Sequence, residues 1–473
     1  MKFLPISDSD RSEMLRAIGV SSIEDLFASI PAEVRHSPNL PPPLSEIEVR
    51  RLLGSLAARN ANARESAFFL GAGIYNHYVS AIADQMLYRA EWLTSYTPYQ
   101  PEVSQGTLQS IFEFQTHICL LTGLDVANAS LYEGASALVE ALLMASRLCR
   151  GRRRAVLSAG IHPEYRETVR TYFSSLGFTS IEVPVKADGR TDENALAAAV
   201  DDDTFAVAIQ SPNFYGVVED WQIGSRAAHQ KGALSVAVVA EAVSMALLAS
   251  PGERGADIAC GEGQSLGVPM HLGGPVLGIL ACRAEHERQI PGRLVGETRD
   301  AEGRRAFCLT LSTREQHIRR ERATSNICTN QGLMALASNI HCSLLGKRGL
   351  REVALQSHAK AEYLKGEIAK IPAWRIPFEG PTFNEFVVEG PEPAAPLLSR
   401  LARRGILAGV PLSRWEDSAN RFLVAATEMN TREEMDRLVA ALRDRAGGRG
   451  DREVPHGDTG GTGDRKVPRR EPF

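Results

Sequence analysis

Three common patterns are missing from this 473-residue sequence. Its seven cysteines include no C-x-x-C pair, and we interpret them as reduced, buried, small apolar residues. No run of about 18 apolar residues is present, and the net charge is only −4, so we expect neither a membrane nor a nucleic acid as partner. The first residues, MKFLPISDSDRSEML, lack the apolar core of a signal peptide, and we therefore expect a cytoplasmic protein.

The composition that remains is typical of a folded globular protein, with 44% hydrophobic and 23% charged residues. A chain of this length is expected to form two or three domains. Serine or aspartate followed three residues later by glutamate predicts three short N-terminal helices, at Asp10/Glu13, Ser21/Glu24 and Ser45/Glu48. We interpret residues 1–95 as a helical arm that docks on something larger.

A large α/β domain is predicted for residues 96–335. Its apolar strands alternate with helical segments: RAVLSA (154–159), SIEVPV (180–185), FAVAIQ (205–210), LSVAVVA (234–240) and VLGILAC (276–282). The long connections are typical of crossovers in a parallel sheet. Residues 336–446 predict a smaller α+β domain, and the glycine-rich, charged segment 447–473 is predicted to be a disordered tail.

A glycine turn leads into an apolar helix in YEGASALVEA (132–141). Gly134, Ala135 and Ser136 would leave backbone amides free at the helix start, where a phosphate binds well. The motif alone is equally typical of a tight turn. Its place in an α/β domain, ahead of the small-residue loop at 255–275, favours a cofactor pocket.

A large α/β domain between a helical arm and a small α+β domain resembles the fold-type-I pyridoxal-phosphate enzymes. In that family a phosphate-binding loop is followed by a carboxylate at a strand end and then by the lysine that holds the cofactor. Here Glu241 ends the strand LSVAVVAE, and Gln264 lies where the lysine is expected. Because glutamine has no nucleophilic amine, we expect no covalently bound cofactor in this chain.

Lysine is scarce along the whole chain. The eight lysines lie at positions 2, 186, 231, 347, 360, 365, 370 and 466. They belong to the termini, a turn, a helix end and the polar side of the C-terminal helices, and none lies in a small-residue loop where burial could lower the pKa of an amine. Lys231 is the lysine that we would assign to an alternative, self-sufficient enzyme.

Two long stretches resemble a more specific family. Residues 69–141, which begin FLGAGIYNHYV, and NICTNQGLMAL (326–336) resemble the P-protein of the glycine cleavage system, a decarboxylating glycine dehydrogenase. The missing lysine and the length indicate the alpha chain of its split form. The resemblance implies a homologous beta chain with the lysine and the pyridoxal phosphate, and an assembly of two alpha and two beta chains. It also implies decarboxylation of glycine, with transfer of the aminomethyl group to the lipoyl arm of the H-protein.

The loop YTPYQPEVSQG (96–106) is a candidate contribution to the active site of a partner chain. Its prolines reduce the entropy lost when the loop is ordered, which suits the rim of a shared site. The residues concerned are Tyr96, Thr97, Pro98, Tyr99 and Gln100. The alternative is a structural turn that leads into the helix 105–121.

The remaining candidates are weaker. A vestigial cofactor pocket is predicted from Gly134, Ala135, Ser136, Asn213 and Gln264. Asn213, Tyr215 and Gly216 follow a strand at the edge where α/β ligands collect, and they either line a pocket or shape a turn. Tyr75 and His77 are interpreted as hydrogen-bonded packing residues, with a contribution to a site as the alternative. Segment 312–332 is interpreted as a solvated helix and subunit contact, with phosphate binding as its alternative. No metal is predicted, and a non-catalytic scaffold is the third hypothesis for function.

Overall fold

The computed structural model describes residues 5–36, 39–271 and 273–446. Its contacts divide the chain into two units, Met1–Ala61 and Asn62–Phe473. The domain boundaries at residues 95, 335 and 446 stay predictions, and the tail 447–473 lies outside the described residues.

The described helices are α1 Asp8–Ile18, α2 Glu46–Ala57, α3 Ala81–Leu87, α4 Ala90–Leu93, α5 Gln105–Thr122, α6 Gly134–Leu148, α7 Pro163–Leu176, α8 Glu193–Ala199, α9 Trp221–Gln230, α10 Gln316–Arg319, α11 Gly332–Ala369, α12 Ala394–Arg403 and α13 Arg432–Ala446. The strands are β1 Ala67–Phe68, β2 Val126–Ala127, β3 Arg154–Ser158, β4 Thr179–Val183, β5 Thr204–Gln210, β6 Leu234–Val239, β7 Ile258–Glu262, β8 Gly278–Cys282, β9 Leu294–Arg299, β10 Arg305–Thr310, β11 Glu385–Glu389, β12 Ile406–Leu407, β13 Val410–Pro411 and β14 Arg421–Ala425. Short 3-10 helices cover Glu24–Phe27, Ala32–Val34, Ala242–Ala246, Ala284–Gln289, Ser312–Arg314, Arg320–Arg322 and Leu412–Arg414.

The first unit, Met1–Ala61, contains α1 and α2. The Ser45/Glu48 capping box begins α2 as predicted. The predicted start of the first helix is wrong by one turn, because Ser7 is the N-cap of α1 and Asp10 completes its capping box. Between them lies a 3-10 helix, Glu24–Phe27, rather than an α-helix.

The second unit is built on a seven-stranded sheet in the described part of the chain, with strand order β2-β8-β7-β6-β5-β3-β4. Strands β4, β3, β5, β6 and β7 are parallel, whereas β8 is antiparallel to β7 and β2 is antiparallel to β8. The sheet is therefore mixed. The five predicted strands are present, and the strand β7 was not predicted.

The strand pattern divides the core between the two faces of the sheet. Val207 and Ile209 of β5 join one apolar cluster, with α5, α9 and α11, whereas Ala206 and Ala208 join another, with α6 and α7. This alternation follows from the two-residue period of a strand. All seven residues of β5 are buried, as expected for a central parallel strand with helices on both faces.

A smaller C-terminal layer contains the antiparallel sheet β11-β14-β13, packed by α12 and α13. Strand β1 pairs in parallel with β12, and the carbonyl oxygen of Phe69 accepts a hydrogen bond from Ala425 at 3.0 Å. The chain then continues from this layer through residues 70–78 to the carboxyl edge of the large sheet. That crossing brings the segment FLGAGIYNHY to the candidate site.

Candidate functional site

Gln264 lies in the loop after β7, at the edge of the sheet where the parallel strands end. Its buried amide is fully bonded: Oε1 accepts from the Tyr75 N–H at 3.0 Å, and Nε2 donates to the carbonyl oxygens of Tyr75 and Val268 at 3.1 and 2.7 Å. The backbone N–H of Gln264 donates to Glu262 at 2.9 Å. Gln264 therefore ties the segment of Tyr75 to the loop and offers no nucleophile.

The start of α6, which the sequence marks as a phosphate cradle, is already bonded to carboxylates. The Gly134 N–H donates to Glu262 Oε2 at 3.1 Å, and the Ser136 N–H donates to Glu133 Oε1 at 2.8 Å. Burial raises the pKa of Glu262 to about 7. Hydrogen bonds from three backbone N–H groups act in the opposite direction and offset part of this rise. A Cβ at position 134 would lie 2.1 Å from the Tyr165 hydroxyl, so this approach requires glycine.

Glu241, at the end of β6, is paired with a histidine. Its Oε2 lies 3.0 Å from His77 Nε2 and also accepts from Asn384 Nδ2 at 3.0 Å. The other ring nitrogen of His77, Nδ1, lies 2.8 Å from Glu428 Oε2. Burial by itself would lower the pKa of His77, but the two carboxylates outweigh it and raise the pKa to about 10. His77 is therefore a buried imidazolium.

A second carboxyl group, that of Glu385 in the C-terminal layer, contacts the segment that contains Ala72 and Tyr75. It accepts from the Ala72 N–H at 2.7 Å and from the Tyr75 hydroxyl at 2.9 Å. Burial raises the pKa of Glu385 to about 7 and holds the pKa of Tyr75 well above its ordinary value. A Cβ at Gly71 would lie 2.2 Å from Glu385 Oε1, so the close approach requires glycine there.

The turn after β5 contains Asn213, Tyr215 and Gly216. The Asn213 side chain is bonded within its surroundings, because Nδ2 donates to Glu219 Oε1 at 3.0 Å and Oδ1 accepts two backbone N–H groups of the turn. The Tyr215 hydroxyl donates to Glu416. Gly216 has a φ of +80°, which favours glycine. A role for Asn213 in a cofactor pocket stays a prediction.

The loop proposed for a partner site is only partly packed. Tyr96 is 88% exposed, Tyr99 and Gln100 are exposed, Thr97 is half-buried and Pro98 is buried. The Tyr99 N–H donates to the Thr97 carbonyl oxygen at 2.9 Å, which shapes the turn. The loop thus exposes the rings of Tyr96 and Tyr99, whereas Pro98 between them is buried.

Arg293 fixes this loop from beneath. Its Nη2 donates to the Tyr99 hydroxyl at 3.2 Å, and its Nη1 donates to Thr329 Oγ1 and Asn330 Oδ1, both at 3.2 Å. The guanidinium also lies 5.4 Å from the centroid of the Tyr99 ring and 3.8 Å from Glu315 Oε2. Loop 96–100 and the segment TN (329–330) are therefore joined by one buried cation.

The described lysines lie outside the loop 255–275. Lys231, at the end of α9, pairs with Asp202 at 3.2 Å on the surface. Lys360 donates to the carbonyl oxygen of Glu428. Within residues 5–36, 39–271 and 273–446, no helix is long and apolar enough to cross a membrane.

Sequence patterns did not indicate four residues of this site, Glu262, Glu385, Glu428 and Arg293. Glu262 was missed because the strand IACGE was interpreted as the end of an element. A glutamate within or directly after an apolar strand, as in FNEFVVE, was the available signal for Glu385. For Glu428 and Arg293 the local sequence holds no comparable signal.

Comparison with known proteins defines first the class and then the family. The fold resembles that of Burkholderia pseudomallei sphingosine-1-phosphate lyase, with a TM-score of 0.64 at 17% identity over 89% of this chain and 94% of that one. A crystal structure titled glycine decarboxylase (P-protein) of the glycine cleavage system, in inhibitor-bound form, gives a TM-score of 0.87 at 44% identity over 94% of this chain and 100% of that one. The chain thus has the fold-type-I pyridoxal-phosphate-enzyme fold.

The sequence comparison is more specific. The family model for the glycine cleavage system P-protein matches residues 1–442. Proteins named probable glycine dehydrogenase (decarboxylating) subunit 1 are 50% identical in Thermomicrobium roseum and 51% identical in Rhodospirillum centenum, over 94% of this chain and 99% of each relative. The chain belongs to the glycine cleavage system P-protein family, among its subunit 1 chains. These relatives do not favour a self-sufficient enzyme or an unrelated scaffold.

Proposed function

We propose that this chain is the alpha subunit of a two-chain glycine decarboxylase whose pyridoxal phosphate is held by a homologous beta subunit. Two alpha and two beta chains act together in the cytoplasm on glycine, and the aminomethyl group passes to the lipoyl arm of the H-protein. The observation that carries the proposal is Gln264, a bonded amide where an imine-forming amine is required.

The residues of this chain do not fit pyridoxal phosphate. The amides at the start of α6 already donate to Glu133 and Glu262, so both carboxyl groups would have to be displaced before a phosphate could bind there. Glu241 is bonded to His77 and is not free for another cation. We therefore derive no step on the cofactor within this chain.

The role of the chain is then to complete the partner's site. The exposed rings of Tyr96 and Tyr99, held by Pro98 and Arg293, form a preordered surface that can exclude water from a neighbouring active site. Preordering lowers the entropy lost on association. In the first unit, the exposed apolar residues of α2, Val49, Leu52, Leu53 and Leu56, are a second surface suited to a partner chain.

The test is co-expression with the candidate beta chain, followed by assay of glycine decarboxylation with lipoylated H-protein. We expect activity only when both chains are present. Tyr96→Ala and Tyr99→Phe in the alpha chain should lower kcat of the complex, whereas Tyr172→Ala, an exposed tyrosine of α7, serves as the matched control. Full activity of the alpha chain alone would contradict the proposal.

A further inference from the structure

The carboxyl edge of the large sheet is crossed by the segment Ala72–His77, and each end of that segment is bonded to buried glutamate side chains. At one end Ala72 donates to Glu385, and a Cβ at Gly73 would lie 3.4 Å from the His162 ring. At the other end the His77 ring lies between Glu241 and Glu428. The segment therefore occupies the space between the strand ends where α/β ligands bind.

Two side chains of the chain occupy the hydrogen-bonding partners that a cofactor of this fold class would use. The imidazolium of His77 is a flat cationic ring on Glu241, the carboxylate that in the resembling family pairs with a ring nitrogen. The Glu262 carboxyl group accepts from the Gly134 N–H at 3.1 Å, at the helix end that favours negative charge. Gln264 completes the arrangement because its amide holds the backbone of Tyr75 on both its N–H and C=O.

We propose that this chain fills its own cofactor cavity with an internal substitute, the His77 ring in place of the cofactor ring and the Glu262 carboxyl group in place of the phosphate. The side chains that fill the cavity are then a permanent part of the fold. For that reason the substitution Gln264→Lys alone does not restore cofactor binding. The inference rests on the proposed function in one respect, that the alpha chain works without its own cofactor.

The charged groups that face His77 are consistent with a held cation. Glu241 and Glu428 contact its two ring nitrogens, and burial together with the His77 charge lowers the pKa of His341 to about 4. The Lys360 ammonium is directed to the backbone oxygen of Glu428. Two carboxylates thus hold one charged ring, beside a neutral His341.

The first experiment removes the ring. His77→Gly in the full chain should lower the thermal unfolding midpoint by roughly 3–5 °C, because two buried carboxylates lose their cation. Added imidazole, which can bind as the cation, should restore at least half of that loss at pH 7. The isosteric 1,2,4-triazole, which is neutral at that pH, should not.

His162→Gly is the matched control, because His162 is also buried but its Nε2–H donates to the Ala72 carbonyl oxygen and burial lowers its pKa. In that variant the two azoles should act alike. If triazole restores His77→Gly as well as imidazole does, the ring at position 77 fills space without charge, and the proposal is overturned. If His77→Gly does not fold, His77→Ala, which also removes the ring, is tested with the same two azoles, and rescue by imidazole but not by triazole is again the expected result.

The second experiment restores the lysine. Full-length Gln264→Lys and wild-type chains are incubated with pyridoxal phosphate, reduced with borohydride and mapped by mass spectrometry. We expect the same labelling of surface lysines in both, with no adduct at position 264. An adduct at that position would overturn the inference while the two-chain requirement, measured by activity, stood. Conversely, glycine decarboxylation by the alpha chain alone would defeat the proposed function without bearing on the labelling result.

Discussion

The raised pKa of Glu385 predicts that the protein loses stability as the pH rises through the neutral range. The pKa is about 7 in the folded protein instead of an ordinary 4.5, because the carboxyl group is buried. The folded state therefore binds a proton that the unfolded chain releases between these two pH values. The stabilisation is fully present below pH 4.5 and is lost as the pH rises through 7.

The magnitude follows from the size of this shift. One pKa unit corresponds to about 1.4 kcal/mol, so Glu385 contributes a slope of about 1.4 kcal/mol per pH unit and about 3 kcal/mol over the whole window. Glu385→Gln stays neutral at every pH and keeps an oxygen for the Ala72 N–H. Relative to wild type, this variant should gain about 2–3 kcal/mol of unfolding free energy between pH 5 and pH 7.

Urea denaturation of the full chain at pH 5, 6 and 7 measures the effect as a shift in midpoint. Glu193→Gln, at an exposed position on α8, is the control and should follow wild type at every pH. The raised pKa values of Glu262 and His77 affect wild type and variant alike and drop out of the comparison, whereas the lowered pKa of Glu428 acts at more acidic pH. If Glu385→Gln and wild type change in parallel from pH 5 to pH 7, the carboxyl group is not held protonated and the reasoning fails.

Two further predictions, each with a comparison variant, test the backbone at Gly216 and the loop held by Arg293. Gly216→Ala should destabilise the protein by roughly 2–4 kcal/mol in denaturant, because its Cβ would lie 1.9 Å from the Glu385 carbonyl oxygen and φ is +80°. Gly151→Ala, with φ +87° and open space, should cost only about 1 kcal/mol, and equal losses would contradict the steric argument. Arg293→Lys should cost roughly 2–4 kcal/mol and speed hydrogen exchange in residues 96–103, since lysine cannot bridge the same three partners. Tyr99→Phe should give a smaller change of the same kind, and unchanged exchange in the lysine variant would exclude Arg293 as the residue that positions the loop.

Local sequence patterns predicted most of the large sheet because buried parallel strands are apolar along their length. FAVAIQ and LSVAVVA correspond to β5 and β6 within one residue at each end. The strand β7, IACGE, was missed because alanine, cysteine and glycine give it little β-propensity and it ends in a buried glutamate. Its burial comes from its neighbours, which a single-strand pattern does not show.

Site residues that are marked by their position along the chain were predictable from the sequence. Residues that matter through contacts with distant parts of the chain were not. Gln264 was recognised from its position along the chain after Glu241, within the small-residue loop 255–275. His77 was interpreted as a packing residue, and its contact with Glu241 joins residues 164 positions apart. Charge compensation of this kind requires coordinates, because neither sequence neighbourhood contains the opposite charge.

The short ladder between Ala67–Phe68 and Ile406–Leu407 has a consequence for biosynthesis. Ala72 and Glu385, which are joined by a hydrogen bond, lie 313 positions apart in the sequence. During synthesis Ala72 therefore lacks this acceptor until most of the chain has been translated. The sheet of β3 to β8 can form earlier, since its contacts are more local. Nascent chains truncated before residue 385 should therefore carry an open, solvent-filled edge that is sealed only after Glu385 and the strands that follow it have been made.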